Sequence, residues 1–154
     1  MLAEGDKLPD VTLTGTDGAP IRLADFRGKP VVVYFYPKAD TPGCTTEAID
    51  FSGLIDDFAK LDVPVVAVSK DPVKKLARFA EKHGLSVTLA SDGDDSVCEA
   101  FGTWVEKSLY GRQYMGIARA TFLADKEGTI VRVWPKVKVK GHAGEVLEAV
   151  KGLG

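Results

Sequence analysis

Two uninterrupted apolar segments limit the folds open to this chain. Residues 31–36 read VVVYFY and residues 63–68 read VPVVAV. Short runs rich in β-branched and aromatic residues are typical of strands buried on both faces of a sheet. Between them, apolar side chains from Ala48 to Phe58 recur at three- and four-residue spacing, which predicts one helix with a buried face. A helix that joins two buried strands predicts a parallel crossover.

The remaining periodicities complete an α/β architecture. We expect a β-hairpin over 11–23, a helix that ends at Gly84, a short strand at 87–89, helical turns at 96–101, strands at 117–124 and 129–134, and a helix from His142. The last two strands are joined by a tight turn, so they form an antiparallel pair. The prediction is a thioredoxin-like fold in a single domain spanning 1–154, with a central mixed β-sheet flanked by helices and an N-terminal β-hairpin.

Composition excludes several classes of function. The chain has 154 residues, 20 basic and 22 acidic, for a net charge of −2, so no general attraction to nucleic acid or to a membrane surface is expected. Apolar runs are too short for a transmembrane helix, and the N-terminus lacks the pattern of a secretory signal, which favours a cytoplasmic protein. His83 and His142 have no metal-ligand spacing, and nucleotide-binding motifs are missing, so we expect neither a metal nor a cofactor.

Cys44 is the residue whose position points most directly to chemistry. It follows a strand and the loop from Pro37 to Gly43, at the predicted first turn of a helix. Unpaired backbone N–H groups and the positive end of the helix dipole favour a thiolate there, and the thiolate is the nucleophilic form. The alternative is that Cys44 is a small residue packed beneath a strand. Pattern alone likewise makes Arg119, on a predicted strand, a residue that points to water.

Three further groups of residues have simple structural interpretations. The basic run Lys136, Lys138 and Lys140 alternates with valines, which predicts the solvated face of a strand. His142 is expected to be structural, near the start of the last helix. For the aromatic residues Trp104, Tyr110 and Tyr114, the sequence does not distinguish a position at the pocket from packing in the core or at the surface.

Residues 37–44, PKADTPGC, match the peroxiredoxin signature Pro-x-x-x-Thr-x-x-Cys. The longer segment YFYPKADTPGCTTEA, together with GIARATFL at 116–123, resembles the bacterioferritin comigratory protein (PrxQ) branch of that family. VSKD at 68–71, SDGD at 91–94 and KVKGH at 138–142 extend the similarity over nearly the whole chain. The resemblance implies a thiol-dependent peroxidase that reduces hydrogen peroxide and organic hydroperoxides.

The same resemblance assigns roles to individual residues. Cys44 would be the peroxidatic cysteine, which peroxide oxidises to a sulfenic acid. Hydrogen bonds to the peroxide oxygens would come from the Thr41 hydroxyl, the backbone N–H groups of Gly43 and Cys44, and the Arg119 guanidinium. Pro37 would shield the thiolate from water, and Glu47 would hold Arg119 by an ion pair.

The chain departs from the family at the residues that regenerate the sulfenic acid. In many members a resolving cysteine lies five residues after the first, where this chain has Ile49; in others it lies where this chain has Ala80. The other thiol, Cys98, matches neither position. We favour a one-cysteine enzyme; Cys98 as an unusual resolving residue, or as a link between chains, stays open. The alternative function is a peroxide sensor or redox-relay protein without efficient turnover.

The expected partners follow from the same chemistry. The substrate is a peroxide, and the reductant is thioredoxin, glutaredoxin or a small thiol. Members of this branch are often monomeric, and no feature of the sequence opposes a monomer. A dithiol oxidoreductase is disfavoured because Glu47 occupies the second cysteine position of a Cys-x-x-Cys motif.

Overall fold

The computed structural model describes residues 1–94 and 96–153. Its strands are β1 (Thr12–Gly15), β2 (Pro20–Arg22), β3 (Val31–Phe35), β4 (Val65–Ser69), β5 (Thr88–Ser91), β6 (Trp104–Leu109), β7 (Arg112–Ile117), β8 (Ala120–Ala124) and β9 (Ile130–Trp134). Its helices are α1 (Pro42–Gly53), α2 (Ile55–Lys60), α3 (Val73–His83), α4 (Ser96–Phe101) and α5 (His142–Lys151), with a 3-10 helix at Leu23–Phe26.

Seven strands form one mixed sheet in the order β2-β1-β5-β4-β3-β8-β9. Strands β3, β4 and β5 are parallel, as the two apolar runs predict, and β8 pairs antiparallel with both β3 and β9. The expected N-terminal hairpin is also present, because β1 pairs antiparallel with β2. The predicted thioredoxin-like α/β fold is therefore confirmed.

Strand β3 divides the core in two. Val32 and Tyr34 face a cluster that contains Cys44, whereas Val33 and Phe35 face a second cluster that contains Cys98. Alternate residues of a strand point to opposite faces, so the sheet lies between the two clusters. The two cysteines consequently belong to different halves of the core.

The helix predicted across Ala48 and Phe58 is wrong in one respect. The structure breaks it at Leu54 into α1 and α2, directly after Gly53. Glycine is the least favourable helix residue apart from proline, which explains why the break falls there. Both segments still bury apolar side chains, since Phe51 and Phe58 are fully buried.

The segment between α4 and β8 differs most from expectation. Strands β6 and β7 form a separate antiparallel hairpin, which the sequence analysis did not predict. Its two-residue turn places Tyr110 and Gly111 at φ +51° and +78°, the combination that a type I′ turn requires. The predicted strand over 117–124 is consequently wrong in its first part, since Ile117 ends β7 and β8 begins at Ala120.

The lysine-rich segment before α5 is not a strand. Residues 135–141 follow an irregular path, although Lys136, Lys138 and Lys140 are exposed as predicted. The Val137 N–H donates to the carbonyl of Arg119 at 2.9 Å, so this segment supports the β7–β8 connection instead of a sheet. Within the described ranges, no helix is long and apolar enough to cross a lipid bilayer.

Candidate active site

The loop before α1 and the first turn of that helix place Cys44 at the helix N-terminus. Pro42 is the first helical residue, and the first helical hydrogen bond runs from the Thr45 N–H to the Thr41 carbonyl at 2.8 Å. The N–H groups of Gly43 and Cys44 precede that bond, so neither has an acceptor within the helix. Cys44 itself is buried, with 2% of its surface exposed.

Arg119 reaches the sulfur from the connection between β7 and β8. Its Nη2 lies 3.4 Å from Cys44 Sγ, and its Nη1 donates to Glu47 Oε1 at 2.8 Å. The strand pattern, which taken alone makes Arg119 a residue on a strand that points to water, is therefore wrong at this position. The backbone on either side of Arg119 is fixed, because Ala118 donates to the Thr103 carbonyl and Val137 donates to the Arg119 carbonyl.

Gly43 permits this approach of the guanidinium. A Cβ atom on residue 43 would lie 3.2 Å from Arg119 Nη2. A side chain at residue 43 would therefore make the guanidinium shift by a few tenths of an ångström. The neighbour Arg119, and not the backbone conformation of residue 43, favours glycine here.

The loop that precedes Cys44 is fastened at two points. The Thr41 hydroxyl donates to the Lys38 carbonyl at 2.7 Å, and the Ala39 N–H donates to Asp71 Oδ2 at 2.7 Å. Asp71 follows β4, so the end of a parallel strand anchors the loop. Pro37, partly buried, starts the loop where β3 ends.

The electrostatics of the site follow from burial. Burial raises the pKa of Glu47 to about 7, against the lowering effect of Arg119. Burial lowers the pKa of Arg119, but Cys44 and Glu47 outweigh it, so that its pKa is raised overall. Arg119 therefore stays charged while the carboxyl beside it titrates near neutral pH.

Two tyrosines beneath the site were not singled out by the sequence analysis. Burial, reinforced by Glu47, raises the pKa of Tyr34. The hydroxyls of Tyr34 and Tyr36, like Glu47 Oε2, are buried and lack a hydrogen-bond partner among the described residues. In the sequence, these two tyrosines can be recognised as the phenols in the otherwise apolar run 31–36, just before the loop.

Of the remaining candidates, Tyr110 and Tyr114 are exposed, and Trp104 packs against the cluster that contains Cys98. Tyr110 is 97% exposed, and Trp104 packs its ring against Lys70 Nζ. Cys98 is fully buried on α4, and burial, with a further contribution from Asp92, raises the pKa of its thiol. Ile49 is exposed on α1, and Ala80 packs against the cluster that contains Cys44.

Comparison with known proteins identifies the protein family of this chain. Residues 4–133 match the model of the AhpC/TSA family. The chain belongs to the AhpC/TSA family of peroxiredoxins. It is 47% identical to peroxiredoxin Bcp of Bacillus subtilis and 46% identical to peroxiredoxin Bcp of Escherichia coli, covering 97% of this chain in both cases and 95% and 96% of the relatives.

Solved structures agree with the sequence relatives. Bacterioferritin comigratory protein of Xanthomonas campestris, described for its alkyl peroxide reduction activity, superposes with a TM-score of 0.91 at 43% identity, covering 97% of this chain and 98% of that protein. The peroxiredoxin is thus a thiol peroxidase of the Bcp/PrxQ type, and the resemblance drawn from residues 37–44 is confirmed.

The buried carboxyl of this peroxiredoxin predicts a pH-dependent stability. The pKa of Glu47 in the folded protein is about 7, above its ordinary value of 4.5, so the folded state holds this proton more tightly. Stability from this group is complete below pH 4.5 and is lost as pH rises through 7. Between pH 5 and pH 8, the wild-type free energy of unfolding should fall by about 2–3 kcal/mol more than that of Glu47→Gln.

Urea denaturation of both proteins at the two pH values measures this difference. Asp57→Asn is the matched control, because Asp57 is an exposed carboxylate on the neighbouring helix α2, whereas Asp50 contributes to the raised pKa of Glu47. Parallel pH dependence in the wild type and in Glu47→Gln would contradict the assignment.

Proposed function

We propose that Cys44 is the peroxidatic cysteine of this peroxidase and that Arg119, Thr41, Gly43, Glu47 and Pro37 form its site. The observation that carries the proposal is the 3.4 Å contact between Arg119 Nη2 and Cys44 Sγ at a helix N-terminus. A fixed cation and unpaired N–H groups beside one sulfur favour the thiolate and receive developing negative charge.

The reaction at Cys44 is a two-electron transfer. The thiolate attacks the terminal oxygen of ROOH, an S–O bond forms, and the O–O bond breaks. Sulfur takes up the terminal OH group and is oxidised to the sulfenic acid, and RO⁻ leaves and takes a proton from solvent to become ROH. Arg119 and the N–H groups of Gly43 and Cys44 stabilise the charge as it moves to oxygen.

Thr41 has a more specific role than the resemblance implies. Its hydroxyl hydrogen is directed to the Lys38 carbonyl, which leaves the oxygen lone pairs to accept a hydrogen bond. We therefore assign Thr41 as the acceptor for the O–H of the bound peroxide. We assign to Pro37, which is partly buried at the start of the loop, the role of shielding the sulfur from water. Glu47 keeps the Arg119 fork oriented through its hydrogen bond to Nη1.

The sulfenic acid is regenerated by an external thiol in this proposal. One thiol displaces water to form a mixed disulfide with Cys44, and a second thiol releases the reduced enzyme. Support comes from Ile49 and Ala80 at the usual resolving positions and from Cys98, which lies across the sheet from Cys44. The external thiol is thioredoxin, glutaredoxin or a small thiol.

We further assign the peroxidase to the cytoplasm, as a monomer formed from one domain. Two unpaired cysteines fit a reducing compartment. The edge strand β2 has three residues and begins with Pro20, a feature that discourages pairing with a second sheet. The acidic balance of charge supports neither nucleic acid nor membrane partners.

Stopped-flow mixing of the reduced protein with hydrogen peroxide tests the function. We expect a second-order rate constant at pH 7 at least about a hundredfold above that of free cysteine, because the site supplies preorganised charge stabilisation. A rate constant equal to that of free cysteine would contradict the proposal.

Steady-state turnover separates the enzyme from the sensor alternative, which the missing resolving positions suggest. Many cycles of peroxide consumption with thioredoxin, glutaredoxin or a small thiol are expected. A single stoichiometric oxidation with every reductant would favour the sensor.

A further inference from the structure

Lys107 approaches the site from the β6–β7 hairpin. It pairs across the hairpin with Tyr114, and its stem crosses Gly116. A Cβ atom on residue 116 would lie 3.2 Å from Lys107 Cδ and 3.4 Å from its Cε. Gly116 is three residues before Arg119, so the stem of Lys107 lies against the end of the strand that leads to the guanidinium beside Cys44.

The surroundings of Lys107 are unusual for a lysine. The residue is partly buried, and the charged groups that act on it are Arg119 and the Cys44 sulfur. Among residues 1–94 and 96–153, no carboxylate forms an ion pair with it. Burial, together with the neighbouring Arg119, lowers the pKa of Lys107.

Without a thiolate, the positively charged side chains at the site outnumber the carboxylates. Glu47 is already hydrogen-bonded to Arg119, and its second oxygen has no described partner. Lys107 is therefore a second cation beside Arg119 without a carboxylate of its own. A negative charge near two partly desolvated cations offsets the repulsion between them. The Cys44 sulfur interacts electrostatically with both Lys107 and Arg119.

We propose that Lys107 is a second cationic residue of the peroxide site, whose ammonium balances the Cys44 thiolate and the negative charge that moves to the departing oxygen. This inference rests on the proposed role of Cys44. It adds to Arg119 a positive group that acts through space from the hairpin, and it gives the β6–β7 hairpin a function in the reaction.

Other titratable groups that face Cys44 define what the test must separate. They are Tyr34 on β3, Tyr36 directly after that strand, Glu47 on the helix of Cys44, and Arg119 from the β7–β8 connection. A change confined to Lys107 leaves all four in place, so a change in thiolate formation reports the ammonium.

Three variants isolate the charge from the packing of the stem. Lys107→Met keeps an unbranched stem over Gly116 and removes the charge, and Lys107→Arg keeps the charge. Lys60→Met is the matched control, because Lys60 is exposed on α2. The readouts are the peroxide rate constant at pH 7 and the pH midpoint of Cys44 alkylation by iodoacetamide, a neutral reagent.

We expect Lys107→Met to lower the peroxide rate constant by about three- to tenfold and to move the alkylation midpoint to higher pH, since losing a nearby cation disfavours the thiolate. Lys107→Arg should stay within about twofold of the wild type in both readouts, and Lys60→Met should change neither.

A different pattern would overturn the inference. If Lys107→Met stays within about twofold of the wild type in both readouts, the charge of Lys107 has no role in the reaction. A slower rate with an unmoved midpoint removes the role of Lys107 at the thiolate, and the same loss of rate in Lys107→Arg assigns Lys107 to packing alone. Failure of the proposed function is distinguishable, because the wild type itself would then consume peroxide no faster than free cysteine.

Discussion

Replacement of Cys44 by serine is expected to abolish peroxide reduction. The serine hydroxyl stays protonated at neutral pH and is a weak nucleophile without an adjacent base. It also cannot form the sulfenic acid of the proposed reaction, which begins at the sulfur 3.4 Å from Arg119 Nη2. The second-order rate constant should fall by at least about a thousandfold, to the background of the buffer. Stopped-flow consumption of hydrogen peroxide under single-turnover conditions measures the loss.

Cys98→Ala is the control for the first prediction. Cys98 is fully buried in the half of the core across the sheet from Cys44, so its removal should leave the rate of the first oxidation within about twofold. Deleting the sulfur costs stability of about 1 kcal/mol through the small cavity it leaves. Peroxidase activity that survives in Cys44→Ser and is lost in Cys98→Ala would reverse the assignment.

Mass spectrometry after one equivalent of peroxide identifies the recycling scheme. The expected product is a single added oxygen on the peptide that contains Cys44, and in a parallel sample dimedone should convert that sulfenic acid into a thioether adduct with loss of water. A disulfide between Cys44 and Cys98 in a monomer, or a disulfide-linked dimer, would contradict regeneration by an external thiol.

Arg119→Met is expected to damage both catalysis and stability. Loss of the guanidinium removes the cation at the sulfur and a donor for the departing oxygen, so the peroxide rate constant should fall by about a hundred- to a thousandfold. The change also leaves the Glu47 carboxyl, 1% exposed, without its ion-pair partner. The free energy of unfolding should fall by about 2–4 kcal/mol at pH 8.

The double variant Arg119→Met/Glu47→Gln separates the two effects. A neutral amide at position 47 removes the unpaired buried charge, so most of the stability should return while the rate stays low. Urea denaturation and stopped-flow kinetics on the four members of the cycle measure both quantities. A double variant that regains the wild-type rate would show that Arg119 acts only by pairing with Glu47.

Sequence patterns predicted those elements whose conformation depends on residues close to one another in the chain. The runs at 31–36 and 63–68 predict central strands because β-branched residues without polar alternation suit a sheet covered on both faces. The loop from Pro37 to Gly43 predicts a thiol at a helix start, and Pro42 does begin α1. The match to the peroxiredoxin signature extends that local prediction to a family.

The sequence-based predictions of secondary structure failed where the conformational preferences of neighbouring residues did not decide the structure. The β6–β7 hairpin has exposed residues on both strands and a turn formed by Tyr110 and Gly111, so it lacks the strong apolar alternation of a core strand. Residues 135–141 alternate like a strand, but none of the strands in the described part of the chain pairs with them. Their backbone instead supports Arg119 through Val137.

The sequence by itself determined the helix that presents Cys44, because Pro42 favours the first helical turn and the loop before it ends with glycine. Only the tertiary structure decided that Arg119, 75 residues away, reaches the sulfur. That contact depends on the pairing of β8 with β3, on the backbone bonds at Ala118 and Arg119, and on the missing Cβ at Gly43. Contacts between distant segments are set by packing, which a periodicity of two or three to four residues does not encode.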